Sequence, residues 1–244
     1  MPGFYAPHLT PESAMLELDG DEFHHIVNVF RKQKGDIVLL TNGKGLLAHC
    51  EIVEISRKFL LLKIKESKQV MSSQPSLAVA FSLLRNKNDH LLVEKLTELG
   101  VKEFFPLLLQ YTVRRSVAGI QRKLEKTAIA AIKQCDNAYL PRINEVTEFS
   151  GFVQAVHQKG YLPLVARERG CSINLADYLK NDPAHYCIVI GAEGGFSPAE
   201  VELMDHFGFS YFSLGNHVLR AETAAIAAVA QMLGYYLRED PDYY

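Results

Sequence analysis

The sequence has few cysteines and no long apolar run, and both absences narrow the class of protein. Its 244 residues contain four cysteines, Cys50, Cys135, Cys171 and Cys187, without a C-x-x-C pair. Scattered thiols are typical of a reducing compartment, so we expect free cysteines and no disulfide framework. No segment approaches the roughly 18 apolar residues of a membrane-spanning helix, and the N-terminus lacks the pattern of a secretory signal. These absences predict a soluble, cytoplasmic protein without a membrane partner.

A recognisable metal site is also missing. His24 and His25 are adjacent, which is not a spacing that metal ligands use, and no cysteine stands near them. We therefore predict no bound metal.

The chain has almost no net charge, but its charges are unevenly distributed. The formal net charge is −2. Residues 1–84 hold 9 basic and 9 acidic side chains, residues 85–142 hold 11 and 6, and residues 143–244 hold 6 and 13. A local basic excess can bind nucleic acid even where the total charge is near zero, so the middle segment is the candidate RNA-binding surface.

The stretch from residue 185 to residue 225 is the most informative part of the chain. Tyr186 to Ile190 is a short apolar run rich in β-branched residues, which predicts a strand buried on both faces of a parallel sheet. Gly191, Gly194 and Gly195 follow directly. A loop with so few side chains lets backbone N–H groups approach a ligand closely.

The glycine loop leads into a helix and a second strand. Ser197, Pro198 and Glu200 are typical of a capped helix start, and the helix should end near Phe207, before Gly208. A strand, a loop and a helix then follow over Ser210–Leu214, over Gly215–Arg220 and from Ala221 onward. Parallel strands place both loops at the same sheet edge, where ligands bind in such folds.

Spacing alone does not identify the ligand of this loop. There is no G-x-x-x-x-G-K-[ST], and the glycines are spaced G-x-x-G-G rather than G-x-G-x-x-G. The glycine spacing fits a structural turn and a ligand-binding loop equally well.

Two motifs carry a more specific indication. The segment G-A-E-G-G-F-S-x-x-E, followed about twenty residues later by L-G-x-x-V-L-R-x-E-T-A, resembles the paired signature of the RsmE family of SPOUT methyltransferases. The resemblance implies a deep trefoil knot, which is rare among folds, together with S-adenosylmethionine (SAM) as methyl donor and a homodimer. It also implies methylation of N3 of a uridine near the 3′ end of 16S rRNA in the small ribosomal subunit.

Residues 1–72 read as a small β-rich domain. Strands are predicted at Ile37–Thr41, Leu46–Val53 and Phe59–Ile64, with Asn42-Gly43-Lys44-Gly45 as a hairpin and a short helix over Phe23–Phe30. The run H-H-I-V-N-V-F-R-K-Q-K-G-D resembles part of the family's PUA-like β-barrel, which implies an RNA-binding domain. Taken alone, its basic residues also fit an ordinary solvated helix end.

Residues 66–76 are polar and aperiodic, which predicts a linker to a second domain over residues 73–244. That domain alternates strands and helices, which predicts an α/β fold with a parallel sheet. The predicted elements are a strand at Leu77–Leu84, a helix at Asp89–Leu99, a strand at Glu103–Leu109, a helix from about Gly119, a strand at Arg142–Val146, a helix at Phe152–Gln158 and a strand at Leu162–Ala166. Arg167 to Gly170 should reach the same edge as the glycine loops. The last helix, Glu222–Leu237, has mostly small side chains and is expected to be buried against the knot, a dimer partner, or both, and it equally fits an ordinary core helix.

The resemblance implies roles for residues at the two loops. Backbone and apolar groups would bind SAM, at Gly191, Gly194, Gly195, Leu214, Gly215, Val218 and Leu219. Arg220 would stabilise the anion that uridine forms when N3 loses its proton, because a guanidinium offers several fixed donors. Glu193 and Glu222 are candidate bases or orienting groups, although Glu222 also fits a role at its helix N-terminus. The candidate RNA contacts are Arg31, Lys32, Arg114, Arg115 and Arg142.

The chain departs from the family pattern at several positions. Ala192 stands where proline is common, Asn216 and His217 where proline and arginine are frequent, and Cys135 and Asn137 where serine and arginine are usual. The changes at Ala192, Asn216 and His217 remove no group that the chemistry requires. Asn137 lacks the RNA contact expected of an arginine, for which Arg142 could substitute. Two other classes stay open: an α/β enzyme that binds a phosphate or dinucleotide at the glycine loop, and a non-catalytic RNA-binding protein with this fold.

Overall fold

The computed structural model describes residues 3–72, 75–85, 88–114, 116–168, 170–179 and 185–239, with only the backbone for 237–239. The chain divides into two compact units, Met1–Ser72 with Ile129–Leu140, and Ser73–Ala128 with Pro141–Tyr244. The strands are β1 (Gly3–Tyr5), β2 (Met15–Asp19), β3 (Ile37–Thr41), β4 (Leu46–Ile55), β5 (Phe59–Gln69), β6 (Ser76–Ser82), β7 (Glu103–Leu108), β8 (Arg142–Ile143), β9 (Thr147–Glu148), β10 (Leu162–Ala166), β11 (His185–Ile190) and β12 (Ser210–Phe212). The helices are α1 (Gly20–His24), α2 (Asn88–Glu98), α3 (Ile120–Gln134), α4 (Phe149–Gln158), α5 (Ala176–Leu179), α6 (Pro198–His206) and α7 (Ala221–Glu239).

The first unit is built on a five-stranded sheet in the order β1-β3-β4-β5-β2. The β1–β3 pair is parallel, and the others are antiparallel. Alternate residues of β3 and β4 are buried, including Val38, Leu40, Cys50 and Ile52, as a half-buried sheet requires. The hairpin predicted at residues 42–45 is confirmed, and Asn42 fixes it by accepting hydrogen bonds from the backbone N–H groups of Lys44 and Leu46.

Two expectations for this unit were wrong in detail, and two strands were not predicted. The single helix over Phe23–Phe30 is instead α1 followed by a π-helical turn, His25–Val29, closed by Phe30 N–H donating to the His25 carbonyl at 2.9 Å. Strands β1 and β2 had no clear sequence signal, because one is three residues long and the other is mostly exposed. Strand β5 continues to Gln69, inside the predicted linker, because its polar end pairs with residues 46–49 of β4.

The second unit contains a parallel sheet in the order β12-β10-β11-β6-β7-β8, with β9 also paired to β7. Every strand pair of this sheet is parallel. The predicted α/β class is therefore confirmed, whereas the knot implied by the resemblance stays a prediction. One face of the sheet packs on α4 and α6 through an aromatic cluster of Phe105, Phe149, Phe152 and Phe209.

Boundaries in the second unit differ from the expected ones where side chains interrupt the strands. Of the strand expected over Arg142–Val146 only β8, Arg142–Ile143, is present, because Asn144 turns to hydrogen-bond the Phe104 carbonyl through both its backbone and its side chain. Strand β9 begins at Thr147, beyond the expected range. Helix α4 starts at Phe149, three residues earlier than expected, and buries that ring. Strand β12 ends at Phe212 rather than Leu214.

Helix α7 is buried along one face within the described chain. Ala225, Ala228, Val229 and Met232 are fully buried, at the spacing of one helical face, and the helix contacts α2, α5 and β11. Ala230 and Gly234 on another face are exposed. These contacts bury one face of α7 within the second unit, and burial against a dimer partner stays a prediction. Among the described residues there is no helix with the length and apolar character that crossing a membrane requires.

A buried polar cluster lies at the start of β7. Glu103 is 7% exposed and accepts hydrogen bonds from Asn144 Nδ2 at 2.9 Å and the Tyr161 hydroxyl at 3.0 Å, and its carboxylate is ion-paired with Lys159. Burial alone would raise the pKa of Glu103, but the hydrogen bonds from Lys159, Asn144 and Tyr161 lower it. The charged form of Glu103 therefore stabilises the folded protein.

We expect Glu103→Gln to lower the free energy of unfolding at pH 7 by about 1–3 kcal/mol. A carboxyl whose pKa is lowered on folding stabilises the protein above its unfolded value of about 4.3, and this contribution is lost as the pH falls through the folded value. Urea unfolding from pH 7 to pH 3 should show the wild-type advantage shrinking below about pH 4.3. Glu145→Gln, at an exposed position, is the control; parallel curves for wild type and Glu103→Gln would contradict the argument.

Candidate functional site

The second unit has a cavity of about 640 Å³ at the carboxyl ends of its parallel strands. This volume is in the range of pockets for small organic ligands. Its lining combines loops that follow β6, β10, β11 and β12 with the start of α7. The lining residues are Arg85, Asn88, Ala166, Arg167, Glu168, Ile190, Gly191, Ala192, Glu193, Gly195, Phe196, Val201, Leu214, Gly215, His217, Val218, Leu219, Arg220, Ala221, Glu222 and Ala224.

The glycine loop after β11 is a tight turn. Gly195 N–H donates to the Ala192 carbonyl at 2.8 Å, and Gly195 has a φ of +75°, which favours glycine. Gly191 and Gly195 line the cavity. Gly194 does not, because its backbone packs against Tyr111; a Cβ added to Gly194 would lie 3.3 Å from the Tyr111 Cβ. Two of the three predicted loop glycines are thus at the cavity.

Helix α6 is anchored at the exit of this loop. The predicted capping box is confirmed, since Ser197 N–H donates to Glu200 Oε2 at 2.7 Å and Glu200 N–H donates to Ser197 Oγ at 3.3 Å. Both residues are buried. Glu200 Oε1 also accepts from Gln110 N–H at 2.8 Å, so one carboxylate joins the helix start to the turn after β7.

The loop after β12 forms the opposite wall of the cavity. Leu214, Gly215, Val218 and Leu219 all line it, as the predicted donor pocket requires. Gly215 has a φ of +118°, and its N–H donates to Ser213 Oγ at 3.2 Å. Val218 is 61% exposed, which is unusual for a valine and places it at the mouth of the cavity.

The three predicted catalytic residues also line the cavity. Arg220 is exposed, while Glu193 and Glu222 each accept a hydrogen bond from the segment after β6. Glu193 Oε1 accepts from Arg85 N–H at 3.3 Å, and Glu222 Oε1 accepts from Asn88 Nδ2 at 3.0 Å. Sequence reasoning gave no role to Arg85 or Asn88. Both residues follow the strand predicted at Leu77–Leu84, which ends at the same sheet edge as the glycine loop. Their position in the sequence could therefore have indicated that they lie at the site.

The predicted RNA-binding residues have different surroundings. Arg31 is exposed in the first unit, with a φ of +53°, and Lys32 Nζ donates to the Ile37 carbonyl at 3.5 Å. In the second unit the Arg142 side chain is 71% exposed, whereas Arg114 Nη1 lies 2.5 Å from Oδ2 of a fully buried Asp89. The prediction for Arg115 falls outside the described residues.

The cavity suits SAM by its lining. An added Cβ on Gly195 or Gly215 would meet no atom within 4 Å, so the absence of these side chains keeps space open along backbone that lines the cavity. Ile190, Leu214 and Leu219 supply apolar surface, and charged groups stand beside it. An adenosine that carries a charged amino-acid tail needs this combination. The described part of the chain brings together no group of three His, Cys, Asp or Glu side chains that could hold a metal ion.

Comparisons with known proteins agree with this geometry. A family model described as RNA methyltransferase domain matches residues 72–233, and one described as RNA methyltransferase PUA domain matches residues 18–65. A ribosomal RNA small subunit methyltransferase E from Rickettsia conorii is 29% identical over 236 residues, which cover 93% of this chain and 94% of that protein.

Solved structures of methyltransferases are similar to this chain over nearly its whole length. A probable rRNA-methyltransferase from Porphyromonas gingivalis matches with a TM-score of 0.85 at 29% identity, over 98% of this chain and 100% of that chain. A protein from Legionella pneumophila, solved in complex with the cofactor SAM, matches with a TM-score of 0.86 at 26% identity, over 95% of this chain and 96% of that chain.

Proposed function

We propose, because this chain belongs to the family of RNA methyltransferase domains, that it transfers the methyl group of SAM to N3 of a uridine near the 3′ end of 16S rRNA. The family matches and the relatives confirm the resemblance that the two glycine-loop motifs indicated. Relatives named as small-subunit rRNA methyltransferases, similar along 93% of this chain, support the choice of substrate.

One observation carries the proposal. The cavity at the sheet edge is lined both by the backbone-rich loops predicted to bind the donor and by the three charged residues predicted to act on the acceptor. Donor site and acceptor chemistry would therefore meet in one place. Positioning of this kind can contribute roughly 7–11 kcal/mol to the lowering of a reaction barrier.

The proposed chemistry needs few groups from the protein. SAM supplies an electrophilic methyl group on its sulfonium. The acceptor N3 must lose its proton, and the electron pair that remains forms the new N–C bond. The methyl–sulfur bond breaks in the same step, and its electron pair leaves on the neutral sulfur of S-adenosylhomocysteine. Arg220, which lines the cavity, would donate hydrogen bonds to the uracil oxygens that carry the negative charge. Glu193 or Glu222 would accept the proton or orient the base.

Asn88 provides a test of the role of Glu222. We expect Asn88→Asp to lower kcat by about tenfold, because it removes a hydrogen bond worth about 1.4 kcal/mol and sets a second carboxylate against Glu222. The measurement is kcat at saturating SAM. Asn216→Asp adds the same charge at an exposed loop position and is the control. Equal losses in both variants would show that charge at the rim, and not the contact to Glu222, is responsible.

RNA binding is proposed for both domains. Residues 1–72 would form the PUA-like RNA-binding domain and residues 73–244 the methyltransferase domain. Arg31, Lys32 and Arg142 are the proposed RNA contacts on the more accessible surface. Arg31 is exposed, and the Arg142 side chain is 71% exposed although its Nε lies 3.8 Å from Glu103 Oε1, whereas Arg114 is held by the fully buried Asp89. We further propose a cytoplasmic homodimer acting on the small ribosomal subunit. Sedimentation would test the homodimer. More activity in mixed Arg142→Ala and Arg220→Ala subunits than in either variant alone would test whether two subunits share one site.

The deciding experiment is methyl transfer from labelled SAM to small ribosomal subunits that lack uridine N3 methylation, with the product mapped by reverse-transcription stops. A single new stop at a uridine near the 3′ end of 16S rRNA is the expected result. SAM binding without transfer would redirect the search to another RNA. Absence of SAM binding would favour a non-catalytic RNA-binding protein.

A further inference from the structure

An arginine without a role in the chemistry above lines the middle of the cavity. Arg167 directly follows β10, and its N–H donates to the Phe212 carbonyl of β12 at 2.9 Å. Its backbone is thereby fixed to the neighbouring strand at the carboxyl edge of the sheet. Arg167 lines the cavity together with both glycine-containing loops.

The strand order shows why this position is central. Strand β10 lies between β11 and β12, pairing with both. The glycine loop follows β11, and the loop from Leu214 to Arg220 follows β12. A ligand that touches both loops must therefore cross the end of β10. Arg167 stands at that crossing.

The guanidinium of Arg167 is also held in place. Its Cζ lies 4.6 Å from the centroid of the Tyr211 ring, in a cation–π contact. The Tyr211 hydroxyl donates to Asp205 Oδ1 at 2.5 Å, which fixes the ring. Burial, followed by the bond to Asp205, raises the pKa of Tyr211 to about 12, so its hydroxyl stays protonated at neutral pH. A guanidinium held over a ring at this distance still has N–H groups that can donate to another partner.

The chemistry of the donor decides which of its groups suits this position. SAM carries a sulfonium and an ammonium group, which a fixed guanidinium repels, and one carboxylate, which a guanidinium binds by charge-assisted hydrogen bonds. We propose that Arg167 binds the carboxylate of the donor's amino-acid tail, with Tyr211 as the positioning residue that holds the guanidinium. This inference rests on the proposed function, because it presupposes that SAM occupies the cavity.

Two ligands, one with and one without the amino-acid tail, distinguish a contact to the carboxylate from a contact to the rest of the donor. S-adenosylhomocysteine contains the carboxylate, whereas 5′-methylthioadenosine has the same adenosine and a neutral sulfur but no amino-acid tail. Calorimetry should show that Arg167→Met weakens S-adenosylhomocysteine binding by about tenfold to a hundredfold, the loss of a charge-assisted hydrogen bond. The affinity for 5′-methylthioadenosine should change by less than about threefold. The methionine keeps an unbranched stem over Tyr211, and Arg167→Lys should recover part of the loss.

Matched variants complete the test. Arg85→Met removes another arginine from the lining and should affect both ligands equally. Tyr211→Phe keeps the ring and should weaken S-adenosylhomocysteine less than Tyr211→Leu does. An equal loss of both ligands in Arg167→Met would overturn the proposal in favour of a structural role. Unchanged donor binding with weaker RNA binding would overturn it in favour of a phosphate contact. If the wild type does not bind S-adenosylhomocysteine at all, the proposed function is refuted together with the role of Arg167. If the wild type binds it and only the prediction for Arg167→Met fails, the proposed function stands.

Discussion

Replacement of Arg220 by alanine is expected to lower kcat for methyl transfer by about 10²–10³-fold, the usual effect of removing a donor that stabilises a developing anion. Arg220 lines the cavity from the loop before α7 and is exposed, so its loss opens no core. The fold and the affinity for SAM should be retained. Single-turnover transfer with labelled SAM measures the chemical step, and thermal unfolding checks the fold.

Two further variants test whether the effect depends on the guanidinium of Arg220 and not only on a polar side chain in this loop. Arg220→Lys keeps the charge but loses the planar fork, so we expect an intermediate rate. His217→Ala removes another exposed polar side chain from the same loop and should have a much smaller effect on the chemical step. If Arg220→Ala raises KM for RNA but leaves the single-turnover rate intact, Arg220 binds RNA and does not act on the reacting base.

Replacement of Arg114 by alanine is expected to destabilise the protein by about 3–5 kcal/mol, because it would leave the charge of Asp89 buried without its partner. Asp89 is 0% exposed, and its Oδ2 lies 2.5 Å from Arg114 Nη1. Denaturant unfolding at neutral pH measures the change. A loss of stability of this size would lower the concentration of folded protein. RNA binding would then appear weaker even if Arg114 made no contact with RNA.

A double-mutant cycle separates the two roles of Arg114. Asp89→Asn removes the buried charge and keeps the shape, so Arg114→Ala in that background should cost much less stability. RNA affinity measured in the same background then reports the contact that the sequence predicted. If Arg114→Ala is equally destabilising with and without Asp89→Asn, the ion pair is not the cause.

The sequence predicted what is encoded locally. The apolar run of β11, the capping box of α6 and the glycine hairpin after β3 each depend on residues within a few positions of one another, and the structure has them where expected. Both loops at the site followed from the rule that parallel strands end at one sheet edge. The resemblance supplied the chemistry that spacing left open.

Contacts between residues far apart in the sequence could not be predicted from local patterns. Glu222 meets Asn88, 134 positions away, and Glu200 meets Gln110, 90 positions away. The sequence marked Asp89 only as the start of a helix, and the structure shows it fully buried in an ion pair with Arg114. No periodicity marks such partners, because they depend on which loops the sheet order brings together. The same reason hid the packing of Tyr111 on Gly194.

The shared carboxylate of Glu200 has a consequence for how the cavity meets a ligand. Because Glu200 holds the start of α6 and the turn at Gln110 in one buried network, the exit of the glycine loop is ordered by folding itself. Binding then causes little additional loss of conformational entropy in this wall. The amide hydrogens at the start of α6 should already exchange slowly with solvent before any ligand arrives. The protein thus presents a preorganised wall to whatever ligand enters the cavity.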